Sequence, residues 1–436
     1  VRYVHAQTEV FAVNKANRFK IKLHCLGGFR EVGRNALMLE NGKERLLLEY
    51  GIQPEEGNIP LPVQRVNAFL LAHPHLDHVG AAPVLYRTQK IPAYATAATF
   101  DQSELLLKDS LKIMRIENKE RIFGESDVKH FLSQKRVITF GQTFGIKGAS
   151  IEVIPGGHIP GSCCFVVDYG RKRVLYTSDF NTANTRLLNG AKVSDFKDID
   201  VAIMESTYSS RDHPPRSETE HRFIEAVRET VDNDGVALVP AFAVGRAAEM
   251  LMVLHSAKPD FPIYLDGMAK AATSIALRYP ELLRDPKALQ AAVDHATLID
   301  TDEDRARSVK KPGAIITTSG MLEGGPIVWY LKRLYSRPEC TLNFSGFQAP
   351  KTAGRYLQDT GRFVTEGFDL AVKMKINHFD FSAHAGRTQL LDFVQTLRPK
   401  KVVCMHGDYC ERFATELRGR FNVDAIAPKV GDIVEI

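Results

Sequence analysis

Residues 73–78 read HPHLDH, three histidines and one aspartate within six positions, directly after the apolar run AFLLA. Neutral imidazole and carboxylate are the side chains that borderline divalent metals such as zinc accept. A tight turn lets closely spaced ligands converge, where a strand would point them alternately to opposite faces. The stretch therefore reads as a buried strand ending in a turn that gathers His73, His75, Asp77 and His78, and four such ligands can serve two metals.

Two metals need further donors. His158 in IPGGHIPGS, Asp179 in LYTSDF and His406 in VVCMHGD each follow an apolar run. A single histidine or aspartate in such a place more often caps or fills the structure, but their joint occurrence with the first cluster favours ligation. Asp179 is the expected bridging carboxylate, one oxygen per metal, at the ~3.5–4 Å metal separation used in two-metal hydrolysis.

The chain around these residues is ordinary for a globular protein. Its 436 residues, 44% hydrophobic, can bury a sizeable core in two or three domain-sized units. Six cysteines without CxxC spacing indicate neither a disulfide framework nor a cysteine zinc knuckle, so a reducing, cytoplasmic setting is expected. No apolar segment approaches the ~20 residues that span a bilayer, and no membrane partner is expected. The net charge of +5 is spread along the chain and by itself says little about a polyanionic partner.

After a polar stretch at 1–18, FKIKLHCLGG and NALMLENGKERLLLEYG predict a hairpin or meander, followed by strands at VNAFLLAH, IPAYAT, KRVITF, ASIEVIPG, CCFVVDYGRKRVLYTSD and DVAIMEST. Helical patterns fall at 79–88 and about 98–116. From about 214, longer helical periods alternate with short apolar strands, as in ETEHRFIEAVRETVDN then VALVPAF, which predicts a second, mainly parallel α/β domain. GGFREVGRNA lacks GxGxxG spacing, so it is read as a tight strand connection beside the metal site.

The order HxHxDH, a distant histidine, then an aspartate resembles the metallo-β-lactamase superfamily. MESTYS with Glu205, FSAH with His384 and MHGD with His406 resemble the three extra motifs of its β-CASP branch, as do LGGFREVGR, PAFAVGRAAEML and TTSGMLEGGP. The likeness runs from about residue 20 to the end and is greatest to archaeal-type members related to RNase J and to the polyadenylation-factor cleavage subunit. It implies an αββα sandwich with an inserted β-CASP α/β domain: sandwich at 1–207, insertion at 208–372, sandwich again at 373–436. Subclasses defined by a preceding KH-like segment or a following domain are not expected.

The resemblance also implies a ribonuclease with two Zn2+ per chain, Mn2+ being an alternative, acting on single-stranded RNA as a homodimer. Asp77, His384 and Glu205 are its expected catalytic residues, His384 as the general acid held by Glu205. Ser382 and Arg246 are candidate phosphate contacts, Ser382 with a competing reading as the N-cap of a helix starting near Ala383. The expected action is 5′-to-3′ exonucleolytic with preference for 5′-monophosphate ends and endonuclease action besides. The alternative is a purely endonucleolytic 3′-end-processing enzyme, and a silent RNA-binding scaffold is less favoured because no ligand is missing. The sequence departs from the family pattern at Glu49, where aspartate is usual and where the longer side chain can still orient a ligating histidine from behind. Ser178 stands where glycine is frequent, and Asp408 where glutamate is common.

Overall fold

The computed structural model describes residues 20–436 other than 54–55, 117–119 and 366. The polar stretch at 1–18, and with it the start of the expected first segment, lies outside the described residues.

Two seven-stranded sheets face each other. The first runs, in spatial order, Ile433–Glu435, Lys22–Gly27, Ala36–Asn41, Glu44–Leu48, Ala68–Leu70, Ala93–Thr96 and Lys135–Ile138. The second runs Asp424–Ile426, Lys401–Met405, Val201–Glu205, Arg173–Tyr176, Cys163–Asp168, Ala149–Pro155 and Thr143–Ile146. Alternating residues of both, among them Leu23, Leu37, Leu46, Leu70, Val153, Phe165, Ile203 and Val403, fill the space between the sheets. Each outer face is covered by helices: Ala97–Ile116 and Glu125–Ser133 on one side, Arg387–Leu397 and Cys410–Phe421 on the other. Runs such as CCFVVD are apolar at successive positions because both faces of these strands are buried. All six cysteines are free and buried, packing as small apolar side chains.

The inserted domain is a parallel six-stranded sheet, ordered Thr297–Leu298, Ile263–Leu265, Gly313–Thr317, Val236–Pro240, Thr341–Phe344 and Lys375–His378. Apolar clusters lie on both of its faces, one under the helices Arg216–Asp232, Arg246–Ser256 and Pro286–His295, the other under Pro326–Leu334 and Ala353–Thr360. Lys375–His378, just past the expected border at 372/373, pairs with Thr341–Phe344 as the edge of this sheet. This edge strand reads KINH and is largely solvated, which is how edges avoid further pairing.

The chain then returns to the sandwich. Lys401–Met405 pairs in parallel with Val201–Glu205, and Ile433–Glu435 pairs antiparallel with Lys22–Gly27, so the C-terminal segment completes both sheets. Among the described residues no helix is long and apolar enough to cross a membrane.

Candidate metal centre and catalytic site

Every expected ligand follows the carboxyl end of a strand at one rim of the sandwich. Leu71 still pairs with Tyr94, and Ala72 accepts from the Cys163 N–H, before the chain turns through His73–His75 into the short helix Leu76–Val79. That turn is held from below: Asn35 N–H donates to the Asp77 carbonyl (2.7 Å) and Tyr50 N–H to that of His78 (2.8 Å). Gly51 lies so close beneath that a side chain there would run into the Asp77 carbonyl. The GGFREVGR connection lies beside the site as expected, with the His406 N–H donating to the Gly28 carbonyl at 2.6 Å.

The seven ligand candidates converge in two sets that share Asp179: His73, His75 and His158 on one side, Asp77, His78 and His406 on the other. Asp179 Oδ2 is 3.4 Å from His73 Nε2, 3.7 Å from His158 Nε2 and 3.3 Å from His78 Nε2, while Oδ1 is 3.2 Å from His406 Nε2. His158 Nε2 and His75 Nδ1 are 3.2 Å apart, and the His73 and His78 ring centres 3.9 Å apart. Burial, reinforced by the neighbouring imidazoles, holds His73 and His75 well below the usual histidine range, and burial with the nearby His384 lowers His158 to about 4. They are therefore neutral and keep a lone pair. His78 is the exception: burial lowers it, but the Asp179 and Asp77 carboxylates outweigh burial and raise it.

This donor set fits metal ions. His73 Nε2 and Asp179 Oδ1 are buried at the centre of the cluster with no hydrogen-bond partner, a costly arrangement for polar atoms unless a cation lies between them. The backbone is also held in the left-handed region at Glu49 (φ 59°), Ser178 (φ 50°) and His406 (φ 48°). Each such residue costs on the order of 1 kcal/mol or more and persists where surrounding structure enforces it, commonly at functional sites.

Behind the ligands, two of the three departures from the family pattern, Glu49 and Ser178, meet. Ser178 Oγ donates to Glu49 Oε1 (3.2 Å) and lies 3.3 Å from His73 Nδ1. Glu49 Oε1 also accepts from the Ala72 N–H (3.1 Å) and is 3.6 Å from His78 Nδ1. Glu49 thus backs two imidazoles, one through a serine hydroxyl and one directly, with both Nε2 atoms facing Asp179.

His384 and Glu205 form the expected pair. His384 Nδ1 is 3.0 and 2.9 Å from the two Glu205 oxygens, and its Nε2 faces the cradle, 4.0 Å from Asp179 Oδ2. Burial works against the charged imidazole, but Glu205 and Asp179 prevail and raise His384 to about 9. Glu205, the last residue of its strand, is fixed in turn by the Phe180 N–H (2.9 Å).

Ser382 is not a helix N-cap. The helix begins at Arg387 behind Gly386, whose N–H is capped by Gln389, and Ser382 Oγ instead accepts the His384 N–H within a turn (3.1 Å). Arg246 opens its helix on the insertion, donates from Nη1 to the Ser345 carbonyl, and has electrostatic reach to Tyr208 and Asp380 beside the catalytic pair. Burial, with Arg216 adding to it, lowers its guanidinium to about 10.

Some functional neighbours were not anticipated. Asn35 Nδ2 lies 3.0 Å from His78 Nε2 and 3.5 Å from Asp77 Oδ2, and the Ala383 carbonyl is 3.0 Å from His158 Nδ1. Asp380 accepts from the Ser382 N–H (3.2 Å) and pairs with Arg211 and His213.

Comparison with known proteins agrees with this geometry. Three family profiles match in tandem: a Metallo-beta-lactamase superfamily domain at residues 38–207, a Beta-Casp domain at 247–357 and a Zn-dependent metallo-hydrolase RNA specificity domain at 369–428. The chain is 35% identical to "Probable RNase MJ4" of Methanocaldococcus jannaschii, over 94% of this chain and 99% of that protein. It is 34% identical to "RNase aCSPSF2" of Saccharolobus solfataricus over 98% and 87%, and 32% identical to "Transcription termination factor FttA" of Pyrococcus abyssi over 95% and 71%. A crystal structure of a protein of unknown function from Enterococcus faecalis V583 shares the fold, with a TM-score of 0.59 at 12% identity over 96% of this chain and all of that one.

Proposed function

Because this chain belongs to the β-CASP ribonuclease family of the metallo-β-lactamase superfamily, whose members are metal-dependent hydrolases, we propose that it cleaves internal phosphodiester bonds of single-stranded RNA in 3′-end processing. The observation that carries the chemistry is the His384–Glu205 pair, with its free Nε2 aimed at a two-set ligand cradle.

His73, His75, His158 and Asp179 would hold one zinc ion, and Asp77, His78, His406 and Asp179 the second. Bound divalent ions supply Lewis acidity, making water nucleophilic near neutral pH and offsetting charge that builds on a phosphoryl group. The protein's own residues do the rest. The Asp77 side chain is partly exposed, whereas its fellow ligand His406 is buried. Glu205 fixes the His384 ring so that Nδ1–H points at the carboxylate and Nε2–H at the cleft, from which it protonates the departing 3′-oxygen. Arg246 offers its remaining N–H groups to a neighbouring phosphate.

The endonucleolytic reading is preferred over 5′-to-3′ exonucleolytic action because relatives over nearly the whole of this chain include proteins named as transcription termination factors. The test is cleavage of a circular RNA beside its linear form carrying 5′-monophosphate or 5′-hydroxyl. Cutting of the circle at a rate close to that of the linear forms, with discrete fragments, is expected. Mononucleotides released first from a 5′-monophosphate end, with the circle spared, would return the exonuclease reading.

A further inference from the structure

Parallel α/β sheets bind ligands beyond the carboxyl ends of their strands. In the inserted sheet those ends turn toward the metal site: Ala243 and Val244, just past the strand Val236–Pro240, pack on Ile159 next to the ligand His158. Two large apolar side chains stay in solvent on this rim, Phe242 at 37% exposure and Phe347 at 46%. Phe242 lies in PAFAVGR, the segment that ends in Arg246, and Phe347 lies in FSGFQAP.

These two rings share a support. The strands Val236–Pro240 and Thr341–Phe344 are parallel neighbours with Leu238 level with Leu342, and Phe242 and Phe347 lie just past their carboxyl ends. The Phe242 ring rests against Gly320, in contact range of where a side chain there would begin (3.4 Å). The buried Gln348 donates to the carbonyls of Gly320 (2.9 Å) and Phe347 (3.1 Å), tying the second aromatic loop to the same support. Between them, Arg246 bonds the Ser345 carbonyl and closes on Gly346, with Tyr208 and the catalytic pair beyond.

We propose that Phe242 and Phe347 form a stacking platform for unpaired nucleobases flanking the scissile phosphate, with Arg246 spanning the phosphate between. This rests on the reading of the chain as an RNA-cleaving enzyme. A rigidly backed aromatic face gives sequence-tolerant binding, because every base has a π-face, and it excludes duplexes, whose bases are already stacked. The platform thus makes the enzyme selective for single strands without base-edge recognition.

The test is fluorescence anisotropy with the metal-loaded protein and a labelled, cleavage-resistant phosphorothioate RNA dodecamer. It is repeated with the two central nucleotides abasic, and with inorganic polyphosphate as competitor. The intact RNA is expected to bind the parent better than the abasic one. Phe242→Ala and Phe347→Ala should each weaken intact RNA by about 5- to 100-fold and erase the penalty for abasic sites, while Phe242→Trp restores both. Melting temperatures of the alanine variants should match the parent, since both rings are exposed. Alanine variants that bind intact RNA like the parent, or a parent indifferent to abasic sites, would overturn the platform alone. A parent that binds RNA no better than polyphosphate would overturn the RNA reading and the platform with it.

Discussion

Asp179 and Asp266 are both almost completely buried, one at the rim of the sandwich and one in the inserted sheet, yet their surroundings are opposite. Asp266 is saturated with donors: Arg305 Nε (2.7 Å) and Tyr330 OH (2.9 Å) reach Oδ2, and Arg305 Nη2 (3.1 Å) and the Gly267 N–H (2.6 Å) reach Oδ1. Asp179 is ringed by imidazoles, of which His73, His75 and His158 are held neutral, and its Oδ1 has no hydrogen bond. The carboxylate that serves the fold has a donor on each of its oxygens. One that serves chemistry is left with partners whose lone pairs face the same way it does, a set completed only by a cation.

The largest effect should come from breaking the chemical member of this pair. Asp179→Asn is expected to abolish binding of both metals, measured by elemental analysis, and to remove detectable RNA cleavage while far-UV circular dichroism stays native. Zinc should raise the melting temperature of the parent and of Asp266 variants, but not of Asp179→Asn, because only a bound ligand stabilises. A zinc-dependent rise in Asp179→Asn would refute the shared-ligand role.

Next, His384→Ala should keep both metals and slow cleavage by ~10² to 10⁴-fold, the usual worth of a positioned general acid. Loss of metal would instead make His384 a ligand. On the structural side, Asp266→Ala leaves Arg305 and Tyr330 without their shared acceptor and should cost about 3 kcal/mol of stability, read from denaturant unfolding. Its metal content should be unchanged, and a near-neutral result would show that the network only decorates the sheet.

The smallest change expected is at Ser178→Gly, which severs the link between Glu49 and His73 and should weaken metal affinity by about 10- to 100-fold. Combining it with Glu49→Asp tests whether the two departures compensate. A double variant no worse than the poorer single one supports their coupling, and strict additivity speaks against it.

How much of this was legible in the sequence follows from chain distance. HPHLDH is contiguous, so its ligands announce themselves, and His158, Asp179 and His406 each stand at the end of an apolar strand where alternation breaks. The parallel insertion was equally readable from its alternating helical and strand periods. What could not be read depends on encounters between distant positions: the Ser178 hydroxyl meets a carboxylate 129 residues away, and Asn35 meets Asp77 across 42. Ser382 misled because a serine before Ala-His-Ala resembles a cap, but the helix starts four residues later behind Gly386, whose N–H donates to the Gln389 side chain. FDLAVKMKINHF reads as strand texture, but that its last part, Lys375–His378, joins the inserted sheet depends on pairing with Thr341–Phe344, which local pattern does not record.

The route of the chain through the two sheets has a temporal side. Lys401–Met405 and Ile433–Glu435 insert into sheets begun by the first half, and His384 and His406 arrive only after the whole insertion. A ribosome must therefore emit the chain through His406 before one ligand set closes and the proton donor is in place. Any chain released short of residue 406 lacks a ligand and carries incomplete sheets.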